Sequence, residues 1–224
     1  MTRSALALAL TFALAACSPP PADQAAAPTA AQVPPPPDPA QAAARAEKGD
    51  QTPPAVDAAL VAAIGGAWRT PEFVARDAWR HPLDTLTFFG IAPTQTVVEI
   101  TPGGGWYAEI LAPYLKDGGR YVGAIVDETK ATSENARNYY TRTNQALRDK
   151  FAAAPEQFGA ATLISFDTAA PSFGEPASAD LVLTFRNVHN WMGSEGQAEG
   201  MFKGCYEVLK PGGVLRVVEH RANP

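Results

Sequence analysis

Cysteine is almost missing from this 224-residue chain, with only Cys17 and Cys205 present. A disulfide framework is therefore excluded as the device that holds the fold. Histidine is scarce too: His81, His189 and His220 are the whole set, they share no short metal-ligand spacing, and no metal is expected. Positive charge is in deficit, with 18 Lys and Arg against 23 Asp and Glu and a net charge of −5. No basic run carries interleaved aromatics, so no nucleic-acid partner is expected. Long apolar runs are missing: the one from Ala5 to Ala16 is too short to span a bilayer. Large apolar side chains nearly vanish between Cys17 and Ala55, where Ala and Pro dominate, and that stretch cannot build a core.

The apolar run, with Arg3 ahead of it, has the layout of a signal peptide. Its end, Leu14-Ala15-Ala16-Cys17, resembles a bacterial lipoprotein cleavage box. The resemblance implies removal of residues 1–16 and acylation of Cys17; the alternative is ordinary cleavage at Ala-x-Ala with Cys17 incidental. Residues 17–55 then form a Pro/Ala-rich linker, stiffest at the tetraproline Pro34–Pro37, that spaces a domain from the membrane. The expected location is the periplasmic side of a bacterial cell envelope, anchored by lipid at Cys17. A lipidated Cys17 leaves Cys205 without a partner, and Cys205 reads as a small buried helix residue.

Residues 56–224 make up roughly 165 residues, about one ordinary domain. Apolar spacing predicts a helix from Val56 to Ile64, a second from Thr70-Pro71 through Trp79, and a third carrying Leu83, Leu86 and Phe89 to Gly90. Short β-branched and apolar runs then predict strands at 96–100, 121–126, 161–166, 179–185 and 214–219, with helices at 106–115, 133–153 and 196–209 between them. Lys210-Pro211-Gly212-Gly213 reads as a turn. Strands alternating with helices predict an α/β fold, a Rossmann-like doubly wound, mainly parallel sheet.

The strongest local signal is Val97-Val98-Glu99-Ile100-Thr101-Pro102-Gly103-Gly104-Gly105. A strand turning tightly into a helix needs residues without side chains where backbone approaches a ligand, and it aims free amides at an anion. Asp127 follows the second strand, where a carboxylate can take both hydroxyls of a ribose. Asp167 follows the third. Arg186-Asn187-Val188-His189-Asn190-Trp191 follows the fourth, at the edge where open α/β sheets place their chemistry.

With Arg80-His81-Pro82, Phe88-Phe89-Gly90, Gly103–Tyr107 and Leu209-Lys210-Pro211-Gly212-Gly213 added, the chain resembles the class I S-adenosylmethionine-dependent methyltransferases, and more narrowly a predicted bacterial group of them. The resemblance covers residues 68–221. It implies S-adenosyl-L-methionine as cofactor, with Glu99 and the turn Thr101, Pro102, Gly103, Gly104 and Gly105 around its methionine part. Asp127 would hold the ribose, and Asp167 would face the adenine amino group. Two departures stand out: Thr101 occupies the place of the family's first glycine, and Asp127 lies two residues later than the family's spacing after Gly123. On the acceptor side, His189 would serve as general base, Asn187 and Asn190 would orient the acceptor, and Arg186 and Trp191 would wall the site. His81 reads as structural or as a lid contact.

The expected activity is methyl transfer to a small-molecule or lipid-like acceptor. A lipoprotein outside the cytoplasm sits away from the cytoplasmic cofactor pool, so the alternative is a non-catalytic methyltransferase-like binding or scaffold lipoprotein of the envelope. A third reading, an NAD-dependent oxidoreductase, shares the turn and the ribose acid; Glu99 and the Pro-Gly-Gly stretch favour the methyl donor. The family adds an antiparallel pair after the fifth strand, whereas this sequence is expected to stop its sheet there, truncated, with an unpaired edge.

Overall fold

The computed structural model describes residues 57–220. Residues 1–56, which hold the expected signal peptide, Cys17 and the expected linker, lie outside the described residues, as do residues 221–224.

Four short helices precede the sheet. Helix α1 (Ala58–Ile64) opens at Asp57, whose carboxylate accepts from the N–H groups of Ala59 and Leu60 and so satisfies two donors of the first turn. The single helix expected from Thr70 to Trp79 is instead two, α2 (Pro71–Val74) and α3 (Asp77–Arg80). The buried Arg69 guanidinium grips Asp77 at 2.5 and 3.0 Å, and Asp77 starts a new turn from that anchor. Helix α3 stops at His81, left-handed at φ 44°, and α4 (Pro82–Phe89) begins with proline at its first position and ends at Gly90, φ 71°.

The remainder alternates: β1 (Thr96–Ile100), α5 (Ala108–Leu115), β2 (Arg120–Val126), a 3₁₀ turn (Glu128–Lys130), α6 (Glu134–Ala153), α7 (Pro155–Phe158), β3 (Thr162–Phe166), β4 (Ala179–Phe185), α8 (Val188–Trp191), α9 (Gln197–Val208) and β5 (Leu209–Val218). The strands form one five-stranded sheet in the order β3-β2-β1-β4-β5, every pair parallel. This is the doubly wound α/β fold, with β5 at one edge of the described sheet.

Side chains alternate across each strand, so one run of sequence serves two cores. Val97, Tyr121, Ile125, Leu181 and Leu183 face α1, α4, α5 and the inner side of α6. Val98, Ile100, Val122, Ala124 and Val182 face the other way, onto Phe173 and the α9 residues Met201, Cys205 and Val208. Cys205 is thus a packing residue, and burial pushes its thiol pKa up to about 12. Every residue of α5 is buried because it lies between the sheet and α1.

The Lys210–Gly213 stretch is not a turn ahead of the last strand but a bulge inside it. Ala179 pairs with Leu209 and Leu181 with Val214, so the proline and two glycines loop out between two bonded positions. Pro211 cannot donate to a ladder, and a bulge at an edge tolerates that. Among the described residues no helix is long and apolar enough to cross a membrane.

Candidate functional site

The strand order places β1 beside β4, which are joined to opposite neighbours, so the connections leaving their carboxyl ends run in opposite directions. Such a switch point opens a crevice. The backbone beyond both ends is strained: Thr101 follows β1 at φ 53° and Arg186 follows β4 at φ 61°. A left-handed conformation costs a β-branched residue about 1–2 kcal/mol, and it is held here by ladder bonds from Thr101 N–H to Ala124 O (2.8 Å) and from Arg186 N–H to Val218 O (2.7 Å). Both residues line a cavity of about 420 Å³.

One wall is the glycine turn. Gly103 is left-handed at φ 59°, and Gly105, at φ 89°, lies so close to α6 that a Cβ there would meet Leu147 Cδ1 at 2.6 Å. The N–H groups of Gly103 and Gly104 donate to no acceptor among the described residues, and both residues line the cavity with Thr101 and Pro102. Gly105 does not line it; its part is to let α5 start against α6.

Glu99 contributes the only carboxylate on the wall. It is 3% exposed and accepts a hydrogen bond from Tyr121 Oη at 2.7 Å. Burial pushes its pKa up to about 7, against the opposing pull of the Tyr121 bond and the Arg80 charge. Above it, Tyr107 stacks on Phe185 with ring centroids 3.5 Å apart.

The opposite wall comes from the ends of β4 and β5. Asn187 spends both amide hydrogens inward, on Ile100 O (3.2 Å) and Thr184 Oγ1 (3.1 Å), which leaves its Oδ1 as the free acceptor. His189 Nδ1 lies 2.8 Å from Glu219 Oε1. A carboxylate only accepts, so Nδ1 carries the proton, and in the neutral imidazole Nε2 is the nitrogen with the lone pair. Partial burial works to raise the Glu219 pKa, but bonds from the His220 N–H and from His189 outweigh it and hold the carboxyl below its ordinary range. Arg186 donates to His220 Nε2 at 3.1–3.2 Å, and the two imidazoles meet edge to face at 5.1 Å.

The structure thus gathers Glu99, Thr101, Pro102, Gly103, Gly104, Arg186, Asn187, His189 and Asn190 around one cavity. It does not gather the rest. Trp191, expected as a wall, is 4% exposed and turned into the core, edge to face with Phe202, because its side of α8 packs on α9. Asp127 and Asp167 stand at the carboxyl ends of β2 and β3, on the same edge of the sheet but outside this cavity. Asp127 is bonded by the N–H and hydroxyl of Thr129, and Asp167 by the N–H of Ala169. A shallower recess lined by Thr101, Tyr139, Tyr140, Asn187 and Asn190 extends the cavity along that edge.

Sequence reasoning gave no site role to Arg76, Arg80, Tyr139, Glu219 or His220. No linear motif joins them; the structure joins the helices before β1 to the turn through Trp106, whose ring carries the Arg80 guanidinium at 4.7 Å and whose indole N–H bonds Phe73 O at 2.8 Å. The spacing argument against a metal also overlooked a cluster, since ligand atoms of His189, Glu219 and His220 lie within 4.8 Å of one another. The Arg186 guanidinium occupies the Nε2 face of His220, and a dication there would lie against it.

No protein-family model matches the chain, and no curated protein matches it either. Among solved structures it is similar to an S-adenosylmethionine-dependent methyltransferase from Aquifex aeolicus, at 17% identity over 67% of this chain and 72% of that one, TM-score 0.45. An S-adenosylmethionine-dependent methyltransferase from Mesorhizobium loti is 18% identical over 69% of this chain and 53% of that one, TM-score 0.39. Human N-acetylserotonin methyltransferase, solved with its cofactor, is 17% identical over 64% of this chain and 35% of that one, TM-score 0.45. The chain therefore spans about half or less of two of these three proteins, and the chemistry of its site is argued from its own residues.

Proposed function

We propose that this chain is an S-adenosylmethionine-dependent methyltransferase acting on a small-molecule or lipid-like acceptor. One observation carries the reading: a glycine turn with two unused N–H donors, and a buried carboxylate beneath it, share a cavity at the β1/β4 switch point. An amino-acid group fits that pair, its carboxylate on the Gly103 and Gly104 amides and its ammonium on Glu99. Glu99 has no cationic side chain within ion-pair distance among the described residues, so an incoming ammonium would supply the missing charge. A volume of about 420 Å³ lies within the ~300–1,000 Å³ of small-molecule sites. Asp127 and Asp167, farther along the same edge, are the acids available to a nucleoside lying across β2 and β3.

S-adenosylmethionine, when bound, supplies an electrophilic methyl group whose transfer leaves the carbon–sulfur electron pair on sulfur. The protein has to hold the acceptor in line and take away its proton. His189 can take it at Nε2, because Glu219 keeps the proton on Nδ1 and stabilises the resulting imidazolium. Asn187 Oδ1 and Asn190 are placed to fix the acceptor's orientation. We further propose that Cys17 is lipidated and that residues 17–55 tether the domain at the periplasmic face of a bacterial cell envelope, a reading supported by the Leu14–Cys17 box and the proline content of the linker.

Calorimetric titration of the full chain with S-adenosylhomocysteine tests the cofactor. Saturable one-to-one binding, weakened by Glu99→Gln, is the expected result. A folded sample that takes up no ligand would leave the non-catalytic envelope protein as the better reading.

A further inference from the structure

Three arginines enter the cavity, and among the described residues no carboxylate lies within ion-pair distance of any of them. Arg76 comes from the α2–α3 junction, Arg80 from the end of α3, and Arg186 from the end of β4. None has an acidic partner within ion-pair distance among the described residues; Asp77, the acid nearest in sequence, is committed to Arg69. Arg80 is half-buried, while Arg76 and Arg186 are exposed; burial together with repulsion from Arg76 and Arg186 outweighs the opposing pull of Tyr107 and Asp77 and pushes the Arg80 pKa below the ordinary guanidinium value, so the three act within range of one another. Two of them are also held in place. Arg80 lies on the Trp106 ring, and Arg186 is fixed by His220 Nε2 at one side and by a strained backbone at the other. Like charges assembled without a partner and kept from relaxing apart indicate a ligand that brings the opposite charge.

The cofactor does not bring it. S-adenosylmethionine carries one carboxylate, one ammonium and one sulfonium, a net positive charge. Its carboxylate alone leaves at least two guanidiniums without a paired anion, and Glu99, though it lines the cavity, lies outside ion-pair distance of all three.

We propose that the methyl acceptor is an anion, and that Arg76, Arg80 and Arg186 hold a carboxylate or phosphate group of it in the cavity beside His189. This rests on the methyltransferase reading only in naming the anion as acceptor; the anion site itself follows from the unpaired arginines. Guanidinium pairs bind either group through two parallel N–H donors. The anion docks its charged end on the arginines and turns its nucleophilic atom toward His189 Nε2, which is free. The acceptor's other half is left facing the open mouth of the cavity.

The test is calorimetry on the full chain at constant ionic strength, with inorganic phosphate and succinate as separate probes, each with and without saturating S-adenosylhomocysteine. The expected result is saturable binding of at least one probe to the cofactor-loaded protein, with affinity reduced about tenfold in Arg186→Gln and in Arg80→Gln, both shown folded by circular dichroism. The tighter probe names the group. Mutual exclusion of probe and S-adenosylhomocysteine would overturn the inference, because the arginines would then be the seat of the cofactor's own carboxylate. Equal binding by wild type and both variants would overturn it as non-specific. Anion binding that depends on the arginines in a protein that takes no S-adenosylhomocysteine would sustain the anion site and overturn the methyltransferase reading.

Discussion

Glu99 offers the sharpest quantitative test of the site, because the same burial that prepares it for a cation makes it a liability without one. Its pKa moves from an ordinary 4.5 to about 7 in the folded protein. The folded state therefore holds this proton more tightly than the unfolded chain does, and stability falls as pH rises between those two values. Above pH 7 the full cost is present: a gap of about 2.5 pH units at ~1.36 kcal/mol each is about 3 kcal/mol. Glu99→Gln removes the titration while its amide oxygen still accepts from Tyr121 Oη, now 2.7 Å from Oε2. Urea unfolding of both proteins at pH 5, 6, 7 and 8, followed by tryptophan fluorescence, measures the difference between them. Carboxyls held below their ordinary range, such as Asp127, Glu128, Asp180 and Glu219, lose their contribution only below that window and cancel in the comparison. The variant should gain on wild type by about 2.5 kcal/mol from pH 5 to pH 8, most of it between pH 5 and 7. A difference that stays constant across the series would show that Glu99 ionises as freely as a surface carboxylate, and the cation seat would lose its basis. Saturating S-adenosylhomocysteine, if its ammonium sits there, should shrink the gap.

Two further outcomes follow from the same packing. Glu109 is fully buried and accepts from Thr70 N–H (2.9 Å), Thr70 Oγ1 (2.6 Å) and Lys150 Nζ, with Arg69 alongside; Glu109→Ala should cost about 3–5 kcal/mol in denaturant unfolding, and a loss under about 1 kcal/mol would mean that water replaces it. Thr101→Gly should stabilise the apo protein by about 1 kcal/mol, the relief of a left-handed β-branched residue less the entropy of glycine, and a destabilised variant would show that the Thr101 side chain packs usefully.

Much of this protein was legible before any coordinates. Strand boundaries at Thr96–Ile100 and Ala179–Phe185 match the sequence reading, because a short run of β-branched and apolar side chains is a local property of the chain. The glycine turn was equally plain, since a backbone that must be left-handed at Gly103 and tight at Gly105 writes itself as glycine. Local rules failed where distant segments decide the outcome. Thr70–Trp79 has the periodicity of one helix, yet the Arg69–Asp77 pair divides it. Pro211-Gly212-Gly213 has the composition of a turn, yet β4 supplies bonded positions on both sides of it and makes it a bulge. Trp191 looked like a site wall because it neighbours His189, but on a short helix two residues are enough to point one side chain at solvent and the other at α9.

What the sequence determined alone, then, is the alternation of strands and helices, the two apolar faces of each strand, the turn at residues 101–105 and the acids that follow β2 and β3. The tertiary structure decided which side chains share a cavity. Arg80, Glu99, Arg186 and His220 lie in separate stretches of the chain and meet only because the sheet runs β3-β2-β1-β4-β5 and the helices before β1 fold back over its carboxyl edge. Strand order is chosen by burial summed over the whole domain, and no window of sequence contains that sum.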